Sequence, residues 1–433
     1  MLLESEYLIF PSEKPCVIRI KPTEKYTVLP TDREYKLRAA AFTGLRNYSY
    51  KKEGRSFPEK GVDFLKNGAP LKLENNELTA TVVFPQEDRY LLFVDLLNSE
   101  TGERETFADI EVYALEEDLF ALLPLRGDFH CHSIGSDGTF APETMVASGV
   151  GRGYDFMAVT DHFTQEPSVK AQKSINPLNC GVTVIRGEEV QVGGCHLHLL
   201  SLGGEKSLNS WFANDRDDFN AAVDKKRYIV EDSPLNPVDK NAAAVALAVF
   251  ERTKEWGGTS VIAHPLWLIN DGFVYSEDLL TFLFDHRTFD ALELFSGGAS
   301  LEGSHLQLCM YRDMEKIPVI GNSDSHYTYG ERPLLEYYTM VFSPDASEKS
   351  ICDSIKEGRT LVVDRERIFG SYRLAKYAYF LRDKVFPAHD AVSARLSKVM
   401  MRYSESGCNY EKYAAEFKKV KNPVDVLKNA FYR

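Results

Sequence analysis

Leu125-Arg126-Gly127-Asp128-Phe129-His130-Cys131-His132-Ser133-Ile134-Gly135-Ser136-Asp137-Gly138 is the stretch from which the fold and the chemistry of this 433-residue chain are read. An apolar run, Leu122-Leu123-Pro124-Leu125, leads into it, and a Gly-Ser-Asp-Gly turn closes it. It reads as a strand entering a loop. Successive side chains of a strand point to opposite faces, so His130 and His132 project to one side and Cys131 to the other. Two imidazoles about 7 Å apart along a strand can converge on one metal ion. Asp137, just past the strand, can swing a carboxylate to the same place. A lone His-x-His is as readily two surface histidines, so the weight falls on what the rest of the chain adds.

Downstream, from 123 to about 366, short apolar strands alternate with helical stretches. The strands are expected at 156–160, 182–185, 197–202, 260–263, 291–295 and 318–321, and the helices at 142–151, 242–256 and 301–315. This alternation predicts an α/β fold with a parallel sheet, most simply a barrel. Residues 204–240 form a longer polar insertion, expected as a lid over the strand ends. Ligand-type residues fall at the strand ends in order. They are Thr160-Asp161-His162, Gly187-Glu188-Glu189, His196 and His198, Ala263-His264-Pro265, and Ser323-Asp324-Ser325-His326. Residues at the C-terminal ends of successive parallel strands share one mouth, where such folds place their chemistry. Adjacent Glu188 and Glu189 point opposite ways, and His196 and His198 share a strand face, so spacing alone leaves either member of each pair as the ligand.

This series, Asp128-x-His130-x-His132-Ser133 with Ser136-Asp137-Gly138, then Thr160-Asp161-His162, Gly187-x-Glu189, His198-Leu199-Leu200, Ala263-His264-Pro265 and Ser323-Asp324-x-His326, resembles the motifs of the PHP (polymerase and histidinol phosphatase) superfamily. The resemblance covers about residues 124–365. It implies a distorted (β/α)7 TIM-like barrel and two or three divalent metal ions, zinc, manganese or iron. The ligand set it implies is His130, His132, Asp137, His162, Glu189, His198, His264, Asp324 and His326, with Glu189 bridging. Six imidazoles and three carboxylates suit those metals better than calcium or magnesium alone. The same resemblance favours Glu189 over Glu188, left to an outer position or solvent, and His198 over His196, which is expected to sit against a backbone carbonyl.

The activity implied is that of a metal-dependent phosphoesterase cleaving a small phosphorylated molecule. A metal-bridged water, its pKa lowered toward neutrality, would attack, with Glu189, Asp324 and His326 as the catalytic residues. Arg332 and Arg359 are candidates for holding substrate phosphate. Non-phosphate esters or carbamates are the alternative substrates, and a non-catalytic, metal-stabilised binding protein is the alternative class. His286, His305 and His389 are expected at the surface. Cys131 and Cys195 are expected in the core, and Asp128 and Asp161 behind the ligand histidines.

Residues 1–122 contain no histidine. Runs at 16–20, 26–29, 71–73, 78–84, 89–97 and 107–115, separated by turn residues, predict a small antiparallel sandwich. Residues 367–433, rich in Lys, Tyr, Ala and Leu, are expected as a helical extension. Three domains are therefore expected, at 1–122, 123–366 and 367–433. The net charge of −13 argues against a large nucleic-acid footprint, which needs clustered positive charge. It leaves room for a small anion held by metals. Seven scattered cysteines without a Cys-x-x-Cys pair, and an acidic N-terminus lacking a signal-peptide pattern, predict a cytoplasmic protein that does not engage a membrane.

Overall fold

The computed structural model describes residues 2–42, 68–98, 104–192, 195–269, 272–297, 303, 306–310, 317–327, 337–364 and 367–432. It is a mixed α/β chain that divides into two compact units. One comprises Met1–Leu122, Lys376–Pro387 and Val426–Arg433, and the other Leu123–Ala375 and Ala388–Asp425. The stretch expected as a separate helical extension thus contributes to both. It is helical over Tyr372–Lys384, Phe386–Glu405, Tyr410–Phe417 and Pro423–Asn429. No helix among the described residues is long and apolar enough to cross a membrane.

In the first unit, period-2 patterning does the folding. Cys16, Ile18 and Ile20 of the strand Pro15–Pro22 face inward, opposite Leu78, Ala80 and Val82 of Glu77–Val83. Glu77–Val83 is joined to Ala69–Glu74 by Asn75 and Asn76, both at positive φ (50° and 64°), the conformation a tight two-residue hairpin needs and Asn tolerates. Ala69–Glu74 pairs in turn with Glu34–Ala41, so eight strands form one sheet, antiparallel except where Ile9–Pro11 meets Arg104–Leu115. Leu37, Leu92 and Val112 share a core with Ile18, Ile20 and Leu78. The run 26–29 is not a strand. The Leu29 amide donates to Asn76 Oδ1 (2.7 Å) and Asn76 Nδ2 to the Thr27 carbonyl (2.8 Å), so this segment is tied down by a side chain rather than a ladder.

Among the described residues the second unit holds two mixed sheets, beside a two-stranded ribbon of Leu268–Ile269 and Gly272–Phe273, rather than the expected parallel one. The first runs Thr183–Ile185, Phe156–Ala158, Leu123–Asp128, Tyr337–Ser343, Thr360–Asp364, Arg367–Phe369, with parallel pairing only among the first three strands. The second runs Gly187–Val190, Leu199–Leu202, Thr259–Ile262, Ala291–Ser296, Val319–Asn322; its first two pairings are antiparallel and its last two parallel. A parallel crossover takes about a dozen residues or more, and the connection 191–198 is too short for one. Beyond the strand ends the two sheets are stitched together by the bridges Cys131–Ser325 and His162–Glu189.

The helices follow their caps. Asn236 accepts from the amides of Val238 and Asp239, Pro237 takes the first turn, and the helix runs Pro237–Glu255. Against it pack the helices Leu208–Asn214 and Arg216–Glu231, burying Trp211, Phe212, Phe219, Val223 and Val230. Residues 204–240 are therefore part of a core and not a lid. Most of the helix expected over 301–315 lies outside the described residues.

His389 is buried, not at the surface. Its Nε2 lies 2.7 Å from Asp155 Oδ1, and its Nδ1 lies 2.9 Å from Arg126 Nη2, while Arg126 also pairs with Asp390. Burial pulls the His389 pKa down, but the Asp155 and Asp390 carboxylates outweigh it and raise the pKa above its ordinary 6.5. A raised histidine pKa contributes stability that is fully present below the unfolded value and is lost as pH rises through the folded one. His389→Gln is thus expected to cost about 3 kcal/mol at pH 5.5, as for a buried pair broken on one side, and distinctly less at pH 9. Urea unfolding of both proteins at the two pH values tests this; a gap that does not shrink with rising pH would refute it.

Candidate metal centre

The strand Leu123–Asp128 ends in a bend at Phe129, and the chain then runs through His130, Cys131, which bridges to Ser325, and His132. Cys131 Sγ turns away to the Ala158 carbonyl (3.4 Å), and the His130 and His132 Nε2 atoms end 3.3 Å apart. Opposite them Glu189, wholly buried, spreads its carboxylate between five imidazoles. Oε2 lies 2.9 Å from His162 Nδ1 and 3.3 Å from Nε2 of both His130 and His132. Oε1 lies 2.6 Å from His198 Nδ1 and 3.2 Å from His264 Nε2. Asp324 Oδ1 sits 3.2 Å from His130 Nε2 and 3.1 Å from His132 Nε2. Asp137 Oδ2 sits 3.2 Å from His326 Nε2 and 3.8 Å from His162 Nε2.

The nine expected ligands fall into three adjoining groups, His132-Asp137-His162-His326, His130-His132-Asp324 and Glu189-His198-His264. Within each group the donor atoms lie within 4.8 Å of one another. Two of these residues hold left-handed backbone conformations, His264 at φ 23° and Asp324 at φ 48°. Such strain in bulky or polar non-glycine residues collects at functional sites, where the surroundings over-determine it.

The charges are tightly interlocked. Burial works against ionisation of Glu189, yet His130 and His198 hold its pKa well below the carboxylate range. Burial likewise opposes a charge on His130, but Asp324, Glu293 and Glu189 raise its pKa well above the usual value. Asp324 is held low by His130 and His132 against its own burial. Burial lowers the pKa values of His132 and His198. Glu189 Oε2 and His162 Nδ1 are 2.9 Å apart and buried, and neither makes a hydrogen bond, nor does His264 Nδ1. Lone pairs gathered like this in a water-poor place call for a cation between them, and imidazole with carboxylate is a donor set for zinc, manganese or iron.

The site opens on one side. Asp137, His162 and His326 side chains are 56%, 15% and 21% exposed, whereas those of His130, His132 and Glu189 are 0%. Exposed Ile134, Phe163 and Tyr327 stand beside that rim.

Glu188 faces away from the imidazoles but not into solvent. It caps the helix Leu208–Asn214, accepting from Ser207 Oγ (2.7 Å), the Leu208 amide (2.6 Å) and Asn209 Nδ2 (2.9 Å). His196 is exposed rather than held against a carbonyl, and Cys195 is half-buried rather than fully in the core. Asp161 accepts from the Ser133 amide (2.7 Å) and from the hydroxyls of Ser133 and Ser136 (both 2.6 Å), fixing the loop that carries Asp137. Asp128, pushed up to about 7 by burial, accepts from the His130 amide (3.0 Å) and the Ser323 hydroxyl. Arg359 is not at the site. Its Nε donates to the Phe342 carbonyl (3.1 Å), and Phe342 pairs with Pro124, at the far end of the strand that leads to His130. That is roughly 20 Å away along a strand. Arg332 lies outside the described residues.

The motif series does not include Glu293, which stands in the middle of the strand Ala291–Ser296, wholly buried, with Oε1 3.1 Å from His130 Nδ1. A charged residue inside an apolar run is the available sign, because glutamate is rarely buried without partners.

No family model matches the chain. Among curated proteins it is similar to the DNA polymerase/3'-5' exonuclease PolX of Bacillus subtilis, 25% identical over 182 residues, covering 38% of this chain and 30% of that protein. The chain therefore spans less than a third of that relative. Among solved structures it is similar to a two-domain protein of Bacteroides vulgatus containing a predicted PHP-like metal-dependent phosphoesterase. That match has TM-score 0.41 and 19% identity, over 60% of this chain and 70% of the other. It is also similar to a Bifidobacterium adolescentis protein assigned as a metal-dependent phosphoesterase (TM-score 0.36, 22% identity, 49% and 92% covered). A third likeness is to an amidohydrolase of Chromobacterium violaceum (TM-score 0.35, 18% identity, 55% and 97% covered).

Proposed function

We propose that this chain, which resembles PHP-like metal-dependent phosphoesterases, is a hydrolase that cleaves a small phosphorylated molecule at the His130–Glu189–Asp324 centre. The carrying observation is the convergence of all nine ligand-type residues, drawn from six separate strands and the loops beside them, into three adjoining groups with a part-exposed rim. His130, His132, Glu189, His198, His264 and Asp324 would hold ions in the buried part, and Asp137, His162 and His326 at the rim. Two or three such ions would neutralise a phosphate's oxygens and lower the pKa of water toward neutrality. Asp324, kept ionised by its histidines against its own burial, suits a metal ligand and has no proton to give. The leaving oxygen would then take its proton from water reaching the exposed rim, where Asp137, His162 and His326 meet. The finer architecture belongs to the same reading. With the two sheets bridged at Cys131–Ser325 and His162–Glu189, the strands are taken to enclose a distorted (β/α)7 barrel, and the single eight-stranded sheet of the first unit is taken to fold over its own core in a sandwich-like way. The acidic balance favours a small substrate over long nucleic acid, and seven unpaired cysteines favour a reducing, cytoplasmic setting.

The test is phosphate release from a panel of phosphomonoesters and diesters, using protein purified without chelator and with its metal content measured. Turnover with two or three ions per chain, abolished in His130→Ala, is the expected result. Metal-loaded protein that is inert on every phosphoester but cleaves carboxylic esters or carbamates would overturn the substrate class. Metal without any turnover would overturn the enzyme reading.

A further inference from the structure

Glu293 is not one of the nine residues that the motif series picks out, yet it touches three of the segments that carry them. Oε1 is 3.1 Å from His130 Nδ1 and accepts from Asn322 Nδ2 at 2.7 Å. Oε2 accepts from the backbone amide of His264 at 2.8 Å. Asn322 is itself fixed, its Oδ1 accepting from the Phe129 amide at 2.9 Å. All of these groups are buried.

We infer that Glu293 is the positioning residue of the metal centre, setting the His130 tautomer and pinning the strained backbone of His264. An imidazole has two nitrogens with separate tasks. His130 Nε2 faces Glu189 and Asp324, so that nitrogen must be free of its proton to bind an ion, and the proton must then sit on Nδ1. Only an acceptor at Nδ1 stabilises that tautomer, and Glu293 Oε1 is the acceptor present. Outer carboxylates that hold a ligand imidazole this way raise its basicity and orient its ring. His264, at φ 23°, is in a conformation that non-glycine residues avoid. A charge-assisted bond from its amide to Glu293 Oε2 is what holds that turn with Nε2 toward Glu189. Glutamine can offer one acceptor oxygen but not two, so Glu293→Gln removes either the His130 or the His264 contact while keeping the shape.

The inference rests on the metal-centre part of the proposed function and not on the phosphoester part; a protein inert on phosphoesters that still binds metal leaves it standing. In the zinc-loaded wild type, 15N–1H correlation spectra of the imidazoles should show the His130 proton on Nδ1. Glu293→Gln should weaken zinc affinity 10- to 100-fold, measured by competition with a chromogenic chelator, with full stoichiometry restored at saturating zinc. A His130 proton on Nε2 in wild type overturns the inference even if the variant does not fold. So does a variant affinity within twofold of wild type. Loss of one whole ion that excess zinc cannot restore overturns it as well, by making Glu293 a ligand.

Discussion

Glu189→Gln is expected to slow phosphate release on the order of 1,000-fold, about 4 kcal/mol of transition-state stabilisation at 1.36 kcal/mol per tenfold, while the protein stays folded. The reason lies in the two faces of one carboxylate. Oε2 meets His130, His132 and His162, and Oε1 meets His198 and His264. Glutamine keeps the volume but aims an N–H donor at imidazole nitrogens that must present lone pairs, and it removes the charge that couples the groups around it. Metal content should fall by at least one ion per chain. The neighbouring Glu188→Gln supplies the contrast. Glu188 caps the helix Leu208–Asn214, so that change should cost about 1 kcal/mol of stability, as lost caps do, and leave the rate nearly unchanged. Steady-state rates with metal analysis on both variants decide the matter. A Glu189→Gln protein with its full metal load and a rate within tenfold of wild type would remove Glu189 from the centre.

What is legible in the chain, and what is not, follows from how far apart partners lie. Eight of the nine ligands can be read because they follow a short apolar run, whereas His198 comes just before one, Leu199–Leu202. Convergence of those eight needs no knowledge of pairing, but His198 joins them only because its strand runs antiparallel to Thr259–Ile262. Strand direction does need it, since only the short 191–198 connection hints that Gly187–Val190 and Leu199–Leu202 run antiparallel. Glu293 is hidden because alternation in Ala291-Leu292-Glu293-Leu294-Phe295 reads as one apolar and one wet face, whereas both faces of this strand are buried. His389 reads as a surface residue because its partners, Asp155 and Arg126, are more than 200 residues away in sequence. The helices over 208–231 read as a polar lid because their many charged residues mask Trp211, Phe219, Val223 and Val230, which line the buried side. Arg359 draws attention as a cation after a glycine, but Gly358, at φ 68°, marks the turn that follows the helix Glu348–Lys356, and the guanidinium serves that turn.

Metal removal is the second large effect expected, and it should fall on one unit only. A ligand that binds the folded state alone stabilises it by about 4.1 kcal/mol at 1,000 times its dissociation constant. Stripping the ions leaves Glu189 Oε2, His162 Nδ1 and His264 Nδ1 buried without hydrogen bonds, each at a cost of about 1–3 kcal/mol. Protonation of His130 relieves part of this, since Asp324, Glu293 and Glu189 already favour its cation. Dialysis against chelator should therefore lower the melting temperature of the unit that contains Leu123–Ala375 by on the order of 10 °C. The unit built on Met1–Leu122, whose core is the cluster of Ile18, Leu37, Leu92 and Val112, has no share in the centre and should melt as before. Differential scanning calorimetry of the full chain before and after chelation, then after zinc or manganese is returned, reads both transitions. If neither transition moves, the imidazole cluster is not a resident metal site, and the hydrolase reading falls with it. If one moves and recovers while no phosphoester, carboxylic ester or carbamate is cleaved, the metals are structural and only the catalytic claim is lost.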